Sequence, residues 1–314
     1  MNIDKDTAVV ILNYRNYTDT INCIESVLRE SQSCCMIVVD NNSNNGSLDE
    51  IAAHFQGRVN YSYYQPSTDV SSYRGQELLL VQNMENGGYA KGNNVGLRLA
   101  YSLGFKYLMV LNNDTIFKDT KVSLLTSVLE ENPDALCVGP LLYKEDGETI
   151  DFNCAKRRAT YWDFFVLSYF GQWFKSKRWI KNYYYLKANP TVGEAIAVDL
   201  ISGSCMVFHS DRLHRIGYFD EGTFLYYEED IMAEKGRRAG FRFYFQPKTQ
   251  LIHLGAKTMK NHSHSAITLK SSYNSAIYYL TVWRGLSPVK ARFVCFSKYL
   301  FMKLYLLKRK IVKR

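Results

Sequence analysis

Three clusters of carboxylate and amide side chains follow apolar or aromatic runs in this chain. Asp40, Asn41 and Asn42 close the run CMIVVD, Asn112, Asn113 and Asp114 close YLMVL, and Glu228, Glu229 and Asp230 follow FLYY. Oxygen donors gathered at one sheet edge suit two tasks. One carboxylate can hold a hard divalent cation against phosphate oxygens, and another can accept the proton of an attacking hydroxyl. Asp114 fits the first task, and the acidic trio at 228–230 supplies candidates for the second. Each cluster alone is equally readable as a turn or a helix cap; three on one edge point to a site.

The elements that must position them alternate. AVVILNY (8–14) is a continuous apolar run suited to a strand buried on both faces, and Ile21, Ile24, Val27 and Leu28 then recur at helical spacing. CCMIVVDN (34–41) is a second strand, after which Ser47 and Glu50 form a capping-box pattern opening a helix through Phe55. VNYSYY, ELLLVQN (77–83), a glycine- and asparagine-rich loop (86–96), a helix to about Leu103 and YLMVLNND (107–114) continue the pattern, with 66–76 as an inserted polar loop. DLISGSCMVF is strand-like, and 229–239 is helical with Gly240 at its end. This alternation predicts an α/β fold with a mostly parallel central sheet flanked by helices and its ligands at the carboxyl ends of the strands.

Composition sets the context. The 314 residues carry 46% hydrophobic and 22% charged side chains, enough for a full core. Seven scattered cysteines without C-x-x-C spacing predict buried, reduced thiols rather than disulfides or zinc. The first residues carry acids before the first apolar run and lack a secretory pattern, so a cytoplasmic protein is expected. The net charge of +9 is local: 287–314 hold nine Lys and Arg and no acid, which leaves the rest neutral. If 290–311 is helical, Phe293, Phe296, Leu300, Leu304, Leu307 and Ile311 make one apolar stripe. Lysines interrupt it too often for a membrane span of about twenty apolar residues. The stripe therefore lies in the interface of an anionic membrane or docks on the protein's own core. Residues 154–187 hold twelve aromatics and eight basic residues against one acid, Asp163, and read either as a covering insertion or as a membrane or acceptor surface. The neutral core argues against nucleic acid as a partner.

Five blocks in order, VVILNYRNYTDTINCIESVL, IVVDNNSNNGS, NGGYAKGNNVGLRLA, YLMVLNND and ISGSCMVFHSDRLHRIGYFDEGTFLYYEED, resemble the family 2 glycosyltransferases over about residues 7–255. They are most similar to the rhamnosyltransferase-like branch that builds bacterial surface polysaccharides. The resemblance implies a GT-A fold with a catalytic unit at 1–255, an aromatic and basic insertion at 154–190, and a basic, helical, membrane-associating region at 256–314. By position it implies that Asp40 bonds the nucleoside and that Asn13 and Tyr14 line the base pocket. Asn86, Gly88, Gly92 and Asn93 fall in the glycine-rich stretch beside the nucleotide. Asn112, Asn113 and Asp114 occupy the family's Asp-x-Asp position, with only Asp114 keeping a carboxylate for metal.

His253, in LIHLGAK, matches a histidine that can complete the metal sphere. Glu229 matches the catalytic base by spacing, and Asp230 is its rival by residue type. The resemblance thus leads to the expectation of an inverting enzyme that uses Mg2+ or Mn2+. It would move a sugar from a nucleoside diphosphate sugar to a lipid-linked or polysaccharide acceptor of capsule or O-antigen synthesis, at the inner membrane face. Rhamnose is favoured by branch. Asn112 and the altered acidic trio leave one rival, a catalytically impaired nucleotide-sugar-binding protein.

Overall fold

The computed structural model describes residues 6–30, 34–161, 163–164, 193–255 and 266–312. The expected aromatic and basic insertion therefore lies largely outside the described residues. The chain opens with β1 (Thr7–Asn13), α1 (Tyr17–Glu30), β2 (Cys35–Asp40), α2 (Ser47–Phe55), β3 (Tyr61–Tyr63), β4 (Leu78–Gln82), α3 (Gly88–Ser102) and β5 (Tyr107–Asn112). It continues with β6 (Thr115–Phe117), α4 (Val122–Glu131), β7 (Ala135–Tyr143), β8 (Ala155–Lys156), β9 (Ile196–Val198), β10 (Leu200–Ile201), β11 (Cys205–His209) and α5 (Ser210–Ile216). Then come α6 (Glu228–Arg238), β12 (Arg242–His253) and the C-terminal helices α7 (Ala266–Tyr278), α8 (Pro288–Val294) and α9 (Phe296–Val312).

The main sheet has the order β3-β4-β2-β1-β5-β11-β7-β12-β6, with β9 also paired to β12. Its first five strands are all parallel, as their apolar runs predict, because helices cover both faces. The strand β11 enters antiparallel between β5 and β7, while β12 lies parallel to β7. Register places the polar clusters on one edge: Asn13 pairs with Asp40, Asp40 with Gln82, and Leu12 with Asn112.

Two local expectations are corrected. Among the described residues no side chain caps α2; its N-cap is Gly46 in a left-handed conformation, and the Ser47 hydroxyl is drawn back to Asn45 Oδ1 at 2.5 Å. The glycine-rich stretch is also not a loop as far as residue 96, because α3 begins at Gly88. A Cβ on Gly92 would lie 2.5 Å from Leu12, and one on Gly96 would lie 2.5 Å from Val10. These two glycines bring α3 close onto β1, whereas Gly88 itself needs the left-handed φ of +82°.

All seven cysteines are free and buried, as their spacing implied. A second, smaller core joins Ile231 of α6 to Ala159, Phe164, Ala276, Tyr279, Leu280, Ala291 and Cys295. The C-terminal helices thus pack against the element that carries the acidic trio. The expected continuous tail helix breaks at Cys295. Among the described side chains of its stripe, Phe293, Phe296, Leu300, Leu304 and Leu307 are 37–66% exposed rather than docked on the core; the Ile311 side chain lies outside the described residues. Among the described residues no helix is long and apolar enough to cross a membrane.

Candidate active site

At the end of β1 and β2, Asp40 is buried and fully engaged. It accepts hydrogen bonds from Asn13 Nδ2 (2.6 Å), the Ser43 amide (2.9 Å) and Gln82 Nε2 (3.1 Å). Asp40, Asn42, Tyr63, Gln82, Asn83 and Met84 are among the residues lining an open cleft of about 420 Å³. Tyr14 stands exposed beside Arg15, whose guanidinium lies 5.1 Å from the ring centre. Asn86 ties the next loop in, since its Oδ1 accepts from Asn41 Nδ2 (2.8 Å) and from the Gly88 amide (3.0 Å).

At the end of β5 the three residues of the Asn-Asn-Asp motif diverge. Asn112 bonds through its backbone amide to Ser204 O (3.0 Å), and Asn113 Nδ2 donates to Thr20 Oγ1 (3.0 Å), which anchors it to α1. Asp114, buried, turns towards β12: its Oδ2 lies 3.5 Å from His253 Nε2. His253 Nδ1 faces Asp151 Oδ2 at 3.4 Å, and Ser204 Oγ is 3.4 Å from Nε2. Burial alone would lower the His253 pKa, but the two flanking carboxylates outweigh it and raise it to about 9. The Asp114 carboxylate and the facing His253 imidazole are donor types that a divalent cation accepts, with Asp151 against the other ring nitrogen. Among the described residues no group of three or more His, Cys, Asp or Glu side chains is arranged for a metal.

The acidic trio forms the first turn of α6, where carboxylates meet the positive end of the helix dipole. The turn before it is strained: Tyr226 (φ 74°) and Tyr227 (φ 70°) are consecutive left-handed residues with side chains, each costing about 1–3 kcal/mol. Glu228 is buried, and its Oε1 has no hydrogen-bond partner among the described residues; burial, then the neighbouring Glu229 charge, raises its pKa far above the carboxylate range. Burial, opposed by Lys156, raises Asp230 to about 6. Glu229, partly exposed, pairs with Lys156 Nζ at 3.6 Å.

Strand-end and acidic groups meet across the segment Ser202–Ser204. The Gly203 carbonyl accepts from Tyr89 Oη at 2.6 Å, and the space beside its Cα faces Glu229 Oε2. Ser204, the next residue, faces His253. The Tyr89 amide in turn bonds Phe224 O (3.0 Å), which stitches the glycine-rich helix to the loop that leads into the trio.

Comparison with known proteins identifies the family. The family model for glycosyl transferase family 2 matches residues 8–177, more than half of the chain. The chain belongs to that family. An N-acetylglucosaminyl-diphospho-decaprenol L-rhamnosyltransferase of Mycobacterium tuberculosis is 23% identical over 169 residues, 53% of this chain and 53% of the relative. The low-salt glycan biosynthesis hexosyltransferase Agl10 of Haloferax volcanii is 22% identical over 235 residues, 74% of this chain and 62% of the relative. The chain thus spans a little over half the length of the curated relatives it matches. Among solved structures, the mannosyltransferase PcManGT of Pyrobaculum calidifontis, in complex with GDP-Man and Mn2+, superposes with a TM-score of 0.54 at 15% identity, covering 94% of this chain and 73% of that one. The shared fold is the GT-A α/β fold, with a rhamnosyltransferase-like sequence.

For this family member, several sequence-derived positions converge and others do not. Asn13 meets Asp40, Asn86 meets Gly88, and Asp114 meets His253. Gly92 faces Leu12 of the sheet, and the buried Asn93 donates to the Tyr89 carbonyl within its own helix, so their local contacts are with the fold. Sequence reasoning missed Asp151, Lys156, Tyr89 and Ser204. Tyr89 and Ser204 sit inside blocks already singled out, NGGYAKG and ISGSC. Lys156 lies in a two-residue strand with no periodic signal, and Asp151 a few residues before it.

Proposed function

We propose that this protein is an inverting glycosyltransferase that moves a sugar, rhamnose by branch similarity, from a nucleoside diphosphate sugar to a lipid-linked or polysaccharide acceptor. The setting is bacterial capsule or O-antigen synthesis on the cytoplasmic face of the membrane. The observation that carries it is the gathering, around Ser202–Ser204, of the Asp114–His253 pair on one side and Glu229 on the other. The nucleoside occupies the cleft that Asp40 lines, beside Asn13 and Tyr14, with Asn86, Gly88, Asn112 and Asn113 towards the sugar and Gly92 and Asn93 shaping that wall from within the fold.

Asp114 and His253 would hold Mg2+ or Mn2+, whose charge stabilises the departing diphosphate. Glu229, paired with Lys156, accepts the proton of the acceptor hydroxyl as its oxygen bonds to the anomeric carbon. The bond from that carbon to the phosphate oxygen breaks on the opposite face, and its electron pair leaves with the nucleoside diphosphate. Asp230 is the alternative base. Residues 1–255 form the catalytic unit, and the exposed stripe of the basic 256–314 region rests on anionic lipid.

A thermal-shift panel of UDP-, GDP- and dTDP-linked sugars, with and without Mn2+ or Mg2+, tests this. A donor at 100 times its Kd stabilises the folded state by about 2.7 kcal/mol, and the metal should be required. Absence of any shift across the panel would overturn the donor assignment.

A further inference from the structure

Lys298 of α9 behaves unlike its neighbours. Lys290, Arg292 and Lys303 are exposed, as a basic tail demands, but Lys298 is turned inwards. Its Nζ donates to the Tyr227 hydroxyl at 3.0 Å and sits 4.9 Å from the centre of that ring. Tyr227 is the residue immediately before Glu228, and its ring packs in a three-ring cluster with Phe164 (5.8 Å, 19°) and Tyr279 (5.7 Å, 22°), which also touch each other (6.0 Å). Burial lowers the Lys298 pKa to about 8, while Cys295 and Asp230 favour its charge, so the ammonium lies within the field of the trio.

The backbone gives this contact its meaning. Tyr226 and Tyr227 hold left-handed φ values of 74° and 70°, which side-chain-bearing residues keep only where their surroundings hold them. Among the described residues no side chain caps α6. The mutually packed rings of Phe164 and Tyr279 hold the Tyr227 ring in a three-ring cluster, and Lys298 fixes its outer end. The direction in which Glu229 and Asp230 leave the turn depends on that residue.

We infer that Lys298 is a positioning residue for the transfer reaction: from the C-terminal helix it holds Tyr227 in the strained turn that aims the acidic trio. The inference rests on the trio supplying the base. It makes α9 part of the catalytic machinery as well as a membrane-facing element, so the state of the tail bears directly on turnover.

The test uses the full chain and, as probe, whichever UDP-, GDP- or dTDP-linked sugar stabilises it most. For Lys298→Met, release of nucleoside diphosphate should fall in kcat by roughly tenfold to a hundredfold, the scale of a small misplacement. Donor KM and Kd should stay within about twofold, because Asp40 and Asp114 lie on other elements. Lys298→Arg, which keeps the donor and the charge, should recover most of kcat, and Tyr227→Phe, which keeps the ring but loses the hydroxyl, should fall between the two. If Lys298→Met folds and turns over like the wild type, the inference is wrong. It is also wrong if Arg fails to rescue and donor Kd rises in step with a loss of Tm, since the contact would then be only structural. Glu229→Gln and Asp230→Asn run alongside: should both keep wild-type kcat, the trio is not the source of the base and both assignments fall. Should either be inactive while Lys298→Met is active, only the role of Lys298 falls.

Discussion

Substituting Gly88 by alanine probes the joint on which the site depends. Gly88 has φ +82°, and an added Cβ would lie 2.1 Å from the Phe224 carbonyl oxygen and 2.8 Å from its carbon, both backbone atoms that no rotamer change can move. The left-handed conformation alone costs a residue with a side chain about 1–2 kcal/mol. Relieving the overlap means displacing the 224 backbone by about 1 Å, on the scale of core overpacking at roughly 1–3 kcal/mol. Gly88→Ala should therefore lose about 2–5 kcal/mol, a fall in Tm of roughly 3–8 °C for a chain of this size. The displaced segment also carries the bond from the Tyr89 amide to Phe224 O and runs on to Tyr226 and Tyr227, so kcat should drop more than stability alone requires. Thermal unfolding and steady-state turnover, measured below the lower Tm, read both effects. A variant melting within about 1 °C of the wild type with normal kcat would show that the close approach of α3 to the 224 carbonyl is not real.

The same geometry gives three further outcomes. Glu228 is held neutral by burial, so the folded state keeps a proton that the unfolded chain releases; stability should fall by up to about 1.4 kcal/mol per pH unit between pH 4.5 and about 8, and Glu228→Gln should flatten that slope in denaturant titrations. Asp151→Asn should weaken Mn2+ binding by about tenfold to a hundredfold in calorimetry while donor-independent Tm changes little, because Asp151 fixes the His253 ring and does not share its far nitrogen. Leu300→Glu, Leu304→Glu and Leu307→Glu together should abolish flotation with anionic vesicles without lowering Tm, because these side chains are 37–55% exposed; binding that survives would place the membrane contact elsewhere.

Much of the scaffold is legible in the sequence because parallel strands covered on both faces leave unbroken apolar runs, and β1, β2, β4 and β5 each read that way. The polar clusters at their ends are legible for the same reason, since a run that stops at a carboxylate marks the sheet edge. The start of α3 is not, because its glycines suggest a loop until Gly92 and Gly96, four apart, are seen to face Leu12 and Val10, with Gly88 against the Phe224 backbone. Asp151 and Lys156 are out of reach: β8 pairs with β10, some forty residues later, and only that long-range pairing puts Lys156 beside Glu229. The exposed stripe of the tail is visible as periodicity, but in sequence Lys298 reads as one more surface charge. Its inward turn depends on Tyr227, 71 residues away along the chain.

The most direct test is turnover of the stabilising donor by wild-type and Asp114→Asn protein, measuring nucleoside diphosphate release with Mn2+ and after chelation by EDTA. Asp114 is the carboxylate of its strand-end triplet, buried and facing His253, so wild-type release should need metal and the variant should lose it under both conditions while still folding. Equal, metal-dependent release by the two proteins would contradict the assignment of the strand-end carboxylate as the seat of the cation.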